Sequence, residues 1–388
     1  MNKLVLKICG NDWNNASRDK RELSVCQELG MQTIVMAKGN IGDKYKKVNV
    51  AGFDMLRFST RPLGKAVPKP INRVISLFTW ASYAKKIKPD IISGHDIIGL
   101  FIGWLSNCFR KHKAKLVYDS HEFEIGRKKK RNKFQLWRIT HLERFLIKRC
   151  AFAIMVNDAI ADEVQKIHNL NERPVVVRST PNLWQVDTAV CSQKRKELLS
   201  KMKSPTDFVL MYHGGVVSGR GIETLLEVVG KNNNVCAVIL GNGEAKYLEC
   251  LKQQAQQIGV AGRVAFHPAV PIEELWKYAG AADVGMVTGI AVAKSYFYSL
   301  PNKFFENIQS ETPVICSDFP EIAPIVDEYQ IGLTCDPTDI EAVNSCVERM
   351  RTDKQFYAEC RENMKIAKRE LCWEKEKEIL KSAYKRIV

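Results

Sequence analysis

The sequence predicts an α/β chain made of two doubly wound domains in tandem, and three observations carry that expectation. Short runs of aliphatic and β-branched residues alternate with amphipathic helical stretches, the pattern of parallel strands with helices on both sheet faces. The alternation stops at a polar, charged segment, Pro181–Lys203, and then starts again. At 388 residues the chain is long enough for two cores of ordinary size.

In the first half the expected strands are Leu4–Cys9, Thr33–Ala37, Asp90–Ser93, Lys115–Asp119 and Ala153–Val156. Helices are expected between them, including Asp19–Leu29 and Arg138–Cys150. The longest apolar run, Ile97–Leu105, is far shorter than the ~20 residues of a spanning helix and reads as a buried helix. In the second half the strands are Phe208–His213, Cys236–Leu240, Val264–Phe266, Val284–Val287, Val314–Cys316 and Gly332–Thr334. Helix follows from Thr338 to the end, and the last stretch, 373–388, is expected to pack back on the first domain. The domains are thus placed at 1–182 and 183–372, with a cleft between them.

Hydrophobic residues make up 45% and charged residues 26% of the chain, a globular balance that argues against disorder. The twelve cysteines form no C-x-x-C pair and no zinc-spaced Cys/His cluster, which points to a reducing, cytoplasmic setting. The opening MNKLVLKICG is too short for the apolar core of a secretion signal and reads as a buried first strand. The net charge of +16 is uneven: Arg110 to Arg149 holds 14 Lys/Arg against 4 Asp/Glu. Such a patch attracts an anionic partner. Within it, residues 127–149 interleave basic residues with Phe134, Trp137 and Phe145. Three readings stay open for that stretch: a solvated face over a core helix, docking on an anionic membrane surface, or nucleic-acid binding. No RRM, KH or helix-turn-helix signature supports the last, so no nucleic-acid partner is expected.

Ligands of doubly wound sheets bind at C-terminal strand ends, near helix N-termini. The run DFVLMYHGGVVSGRGIETLLEVV is strand, glycine-rich loop and helix. Gly214, Gly215, Gly219 and Gly221 let the backbone approach a ligand, the helix start offers amides to an anion, and Arg220 at its mouth pairs with phosphate oxygens. A plain βα turn with an exposed arginine is the competing explanation. The loop lacks G-K-[ST], so it is not a Walker A loop, and it lacks the G-x-G-x-x-G spacing. A second helix start is SLPNKFFE, with Ser299 or Leu300 at the cap and Pro301 in the first helical position. Asn302 and Lys303 stand in that first turn, and Glu306 is three residues on from Lys303. Glu306 is suited to holding a ribose diol, or to a surface pair with Lys303. Two cationic helix starts in one domain suit a diphosphate leaving group. No D-x-D motif falls on a plausible loop, so positive side chains and helix dipoles are expected to act where a metal otherwise would, with no cofactor. On the first domain, His95-Asp96 and His121-Glu122 each follow a strand and are expected to face the acceptor. His213 ends a strand beside the glycine loop, where packing or capping accounts for it.

Over nearly the whole chain these segments resemble the retaining glycosyltransferases of family 4, the glycosyl transferases of group 1, with the two-Rossmann glycosyltransferase-B fold. The resemblance is carried by SRDKREL and ELGMQTIVMA, by VYDSHE, and then in order by VILGNGE, VAFHPAVPIEEL, AGAADVGMV and SLPNKFFENIQSETPVICSDFPEI. It implies that Arg220 takes one place of the basic pair on the donor diphosphate. Gly215 stands where the family's other basic residue is usual, and Lys303 is the candidate to replace it. Glu306 matches the second Glu of the family's E-x7-E motif, implied to bind the ribose. The first would fall at Tyr298. Gly241 belongs to the implied donor-binding set. His121 matches the His implied to sit near the reacting sugar.

What the resemblance implies is transfer, with retention, from a UDP- or GDP-sugar. The acceptor would be a glycan or a polyprenyl-diphosphate-linked acceptor in surface polysaccharide synthesis; the composition of the basic stretch 127–149 would dock the enzyme beside it on the inner face of a membrane. A nucleotide-sugar 2-epimerase or hydrolase on the same fold, and a non-catalytic nucleotide-binding protein, are the alternatives.

Overall fold

The computed structural model describes residues 3–13, 17–39, 45–50, 52–59, 61–64, 66–108, 110–127 and 131–388. The chain divides into two compact units: Met1–Arg178 with Glu376–Val388, and Ser179–Lys375.

The first unit runs, in chain order, through β1 (Leu4–Asp12), α1 (Ser17–Glu28), β2 (Gln32–Gly39), β3 (Tyr45–Val50), β4 (Phe53–Ser59), α2 (Lys69–Ile87), β5 (Ile91–His95), α3 (Asp96–Cys108), β6 (Lys115–Asp119), α4 (Lys133–Ile147), β7 (Cys150–Met155), α5 (Asp158–His168) and β8 (Val175–Val176). Among the described residues its sheet has the order β3-β4-β2-β1-β5-β6-β7-β8, parallel except for the β3–β4 hairpin at one edge. The run IISGH of β5 is buried along its whole length, as a strand covered on both faces must be. The apolar run expected as a buried helix lies in α3, and Ile98 on it is 40% exposed.

The second unit runs through α6 (Thr188–Leu199), β9 (Phe208–His213), α7 (Ile222–Lys231), β10 (Val235–Leu240), α8 (Ala245–Gln257), β11 (Val264–His267), α9 (Ile272–Ala279), β12 (Val284–Val287), α10 (Lys294–Phe297), α11 (Asn302–Gln309), β13 (Val314–Ser317), α12 (Ala323–Tyr329), β14 (Gly332–Cys335), α13 (Ile340–Thr352) and α14 (Lys354–Glu370). Its parallel sheet has the doubly wound order β11-β10-β9-β12-β13-β14. The order turns back at β9, which pairs with β10 on one side and β12 on the other. Its core gathers Leu210 and Tyr212 of β9, Leu225 and Leu226 of α7, and Val235 and Ile239 of β10.

The last helix is α15 (Trp373–Lys385). In the first unit its Tyr384 hydroxyl donates to Glu22 Oε1 at 2.5 Å, and Lys381 pairs with Glu28 at 2.8 Å.

Three elements depart from the sequence expectation. The hairpin β3–β4 precedes the long α2 in the stretch between Ala37 and Asp90, where a helix but no strand is expected. The polar segment Pro181–Lys203 contains α6, capped by Asp187, with only Cys191 and Leu198 buried. Two buried residues in twelve give too weak a periodicity to read as a helix.

Candidate functional site

The glycines, Arg220, Lys303 and Glu306 converge at the C-terminal end of β9. The loop after this strand extends the sheet: Gly214 N donates to Leu240 O and Val216 N to Asn242 O, both at 2.9 Å. Two glycines are required there sterically. A Cβ on Gly241 would lie 1.8 Å from Gly214 O, and one on Gly221 would lie 2.0 Å from Thr288 O; both have positive φ. Gly221 is also the residue from which α7 begins. Gly214 and Gly215 are exposed, and Gly215 O accepts from the Tyr212 hydroxyl at 2.6 Å. Gly219 O accepts from Ile290 N at 2.9 Å, which ties the loop to the segment after β12.

Lys303 lies in the first turn of α11 and is 9% exposed. Its Nζ stands 3.8 Å from the centre of the Tyr212 ring and has no hydrogen-bond partner among the described residues. Burial, then the nearby Arg220 guanidinium, bring its pKa down to about 7, against the opposing pull of Glu306. Arg220 itself lies over the Tyr296 ring, 5.3 Å from its centre. Two cations are therefore held together on aromatic faces, one of them without a counter-ion.

The expected surface pair between Glu306 and Lys303 does not form, because Lys303 points into the interior. Glu306 Oε2 instead accepts from His213 Nε2 at 3.0 Å. A carboxylate carries no proton, so the ring must carry it on Nε2. His213 is thus more than a packing residue: it fixes Glu306 from the end of β9. The helix cap also differs from expectation. Pro301 is the N-cap, with extended ψ, and Asn302 is the first helical residue and exposed. Tyr298 ends the short α10, with Lys294 Nζ 5.3 Å from its ring centre. Tyr212 and Tyr296 escaped the sequence reading, since aromatics one position from a glycine loop or inside a four-residue helix look like packing.

The first-unit candidates form a different kind of cluster. His95 donates from Nδ1 to the Asp19 carboxylate at 3.0 Å, and His121 donates from Nε2 to Asp119 at 2.9 Å. The two imidazole rings are 3.9 Å apart. Asp96 Oδ1 accepts the His121 amide at 3.1 Å, from a residue with φ of +53°. Glu122 pairs with Arg127 at 2.7 Å. Beneath the histidines, fully buried Lys7 bonds Asp19 at 2.9 Å, Asp119 at 2.7 Å, and Glu22. Arg18 reaches Asp119 at 3.3 Å. Burial opposes these charges, but Lys7 holds Asp19 and Asp119 well below the usual carboxylate range. Burial would also lower His95, yet its bond to Asp19 raises it to about 11, so it is a cation. No single motif announced this array; its members come from β1, α1, β5 and β6.

Asp19, His95, Asp119 and His121 offer ligand atoms within 4.8 Å of one another, a spacing a metal ion could use. The fit is poor in one respect: the Lys7 ammonium and charged His95 already neutralise those carboxylates, and a metal would have to displace them.

Of the basic stretch 127–149, Lys128 to Lys130 lie outside the described residues. On α4, Phe134 is 66% and Trp137 55% exposed, their rings stacked at 6.0 Å. No described helix is long and apolar enough to cross a membrane.

Two family profiles match the chain in succession: Glycosyltransferase Family 4 over residues 25–180 and Glycosyl transferases group 1 over residues 194–368. No curated protein sequence matches it. Among solved structures it is similar to sucrose-phosphate synthase from Thermosynechococcus elongatus, with a TM-score of 0.79 at 15% identity over 99% of this chain and 98% of that one. It is also similar to Anabaena HepE in complex with UDP and glucose, with a TM-score of 0.75 at 14% identity over 99% and 100%. A third is the catalytic domain of starch synthase IV from Arabidopsis thaliana, bound to ADP and acarbose, with a TM-score of 0.73 at 11% identity over 100% and 99%. At these identities the likeness is one of fold, and the shared fold is glycosyltransferase-B.

Proposed function

The chain belongs to the glycosyltransferases of group 1 and family 4, and from that premise we propose that it moves a hexosyl or N-acetylhexosaminyl group from a UDP- or GDP-sugar with retention of configuration. The observation that carries this reading is the unpaired, buried Lys303 ammonium beside Arg220, at the end of a glycine-lined loop. An uncompensated buried cation is costly, and a diphosphate is the ligand that would offset the cost at this place. HepE, of the same fold, is known in complexes with UDP and with UDP-glucose.

In this reading Arg220 and Lys303 hold the diphosphate, and loop amides from Gly214 to Gly221, with Gly241 behind them, let it approach. The Asn302 amide at the start of α11 adds to the anion site. Glu306, fixed by His213, holds the ribose. Tyr298 takes the place of an acidic contact to the donor sugar. His121 stands near the reacting sugar, with His95, Asp96 and Glu122 toward the acceptor. The acceptor oxygen bonds to the anomeric carbon on the face the diphosphate leaves. Its proton passes to the leaving phosphate oxygen, so the products are the glycoside and a nucleoside diphosphate. Preorganised cations stabilise the charge that grows on the leaving group, and no metal is required for it.

The acceptor is a glycan or a polyprenyl-diphosphate-linked glycan of surface polysaccharide synthesis. The enzyme works in the cytoplasm, docked peripherally on the inner membrane face. Support for the docking comes from exposed Phe134 and Trp137 among the basic residues of α4. Flotation with anionic vesicles at low salt tests it, and a protein left in the dense fraction would refute it. The decisive test of function is a thermal-shift screen over nucleotide sugars, followed by product analysis with the best donor. Release of nucleoside diphosphate with a new α- or β-glycoside of unchanged configuration supports the proposal. Conversion of UDP-GlcNAc alone to ManNAc would replace it with an epimerase.

A further inference from the structure

The first unit carries a cavity of about 420 Å³ near the C-terminal ends of β1 and β2, against α2 and α3. That is within the ~300–1,000 Å³ of small-molecule sites. One wall is cationic: Lys38, Arg61, Lys69 and Arg73. Among the described residues no carboxylate lines it, and none of the four cations is ion-paired. Four like charges on one cavity repel each other until an anion enters. The rest of the described lining is largely apolar and includes Trp80, one helix face along from Arg73, and Ile102 of α3.

The cavity is built rather than incidental. Lys69 and Arg73 are one turn apart on α2. Arg61 sits in a loop held down by Asn72, which is 1% exposed. The Asn72 amide accepts from Leu63 N at 3.0 Å and donates to Gly64 O at 3.1 Å and to Val67 O at 2.9 Å. Trp80 is braced by Phe58, with ring centres 4.8 Å apart. Ile98 of the lining is exposed, and α2 also exposes Val74 and Phe78.

A phosphate alone would satisfy the cations and leave the apolar wall bare. A hydrocarbon alone would do the reverse. We propose that this cavity binds a phosphorylated amphiphile: a phosphate or diphosphate ester whose hydrocarbon chain starts against Trp80 and leaves over Val74 and Phe78. The binding stands on the cavity itself; its role, anchoring the carrier of the acceptor glycan, rests on the transferase reading.

The test uses the full chain and farnesyl diphosphate below its micellar concentration, titrated calorimetrically beside inorganic pyrophosphate and farnesol. Farnesyl diphosphate is expected to bind at least tenfold more tightly than either. The double variant Arg61→Gln/Arg73→Gln should weaken it at least tenfold and leave UDP affinity unchanged, which also certifies the fold. Lys303→Ala should do the opposite. Equal affinity for pyrophosphate and farnesyl diphosphate would overturn the proposal, leaving a phosphate site only. So would affinity that ignores the Arg61/Arg73 change. A wild-type chain that binds farnesyl diphosphate but neither UDP nor GDP would sink the transferase reading and leave this site standing.

Discussion

Lys303 Nζ lies 3.8 Å from the centre of the Tyr212 ring, buried and without a hydrogen-bond partner among the described residues. The cation–π contact recovers only part of the hydration the ammonium gave up. The site is therefore strained toward an anion. Replacing Lys303 with Met keeps the volume and removes the charge. The melting temperature is expected to rise while turnover falls by about 2–4 kcal/mol of transition-state stabilisation. A variant that is both destabilised and fully active would refute the assignment.

Arg220 is half-buried at the same site, over Tyr296. Arg220→Ala is expected to cost about 2–4 kcal/mol in kcat/KM, with little effect on thermal stability. Arg220→Lys should recover only part of it, because a point charge does not match the guanidinium fork.

Proton uptake offers a test that does not depend on knowing the sugar. Burial and Arg220 bring Lys303 down to about 7 from its usual 10.5. Between those values the unfolded chain binds one proton more than the folded chain, so this group makes the fold more stable as pH rises through the window. A bound diphosphate pulls the pKa back up. At pH 8, UDP binding is then expected to take up close to one proton, read by calorimetry in buffers of different ionisation enthalpy. Lys303→Met should abolish the uptake, and wild-type affinity should tighten as pH falls toward about 7 and level off below it.

Glu306 is aligned by the Nε2–H of buried His213. Glu306→Gln leaves the shape and removes the charge, and is expected to raise the Kd for UDP by about tenfold. His213→Ala should produce a similar loss through a freed Glu306. UDP affinity unchanged in both variants would exclude the ribose contact.

The His95 cation is tied to Asp19, and its pKa is raised from 6.5 to about 11. Its stabilising contribution is whole below about pH 6.5 and drains away as pH climbs toward 11. His95→Gln is expected to cost about 3 kcal/mol of unfolding free energy at pH 6 and distinctly less at pH 10. Urea denaturation at the two pH values checks the difference, and a cost that grows with pH would contradict the sign.

The order of strands and helices in the second unit was legible in the sequence, because buried parallel strands such as VCAVIL and PVICSD are continuous apolar runs bounded by glycine or polar residues. The glycine loop, Arg220, Lys303 and Glu306 could be named from the chain alone, since a strand–loop–helix pattern fixes which residues stand at a helix start. What their side chains do there was decided by tertiary packing. The i, i+3 spacing allowed Lys303 to pair with Glu306 on a surface, but the β9 end placed Tyr212 under the lysine and His213 against the glutamate. In the first unit the gap was wider. Lys7, Asp19, Glu22 and Asp119 come from three separate segments, β1, α1 and β6, and only the alignment of β1, β5 and β6 beside α1 buries them as one array. Spacing along a chain records which residues share an element; which elements share a site is set by the sheet order, and that order is a property of the folded chain.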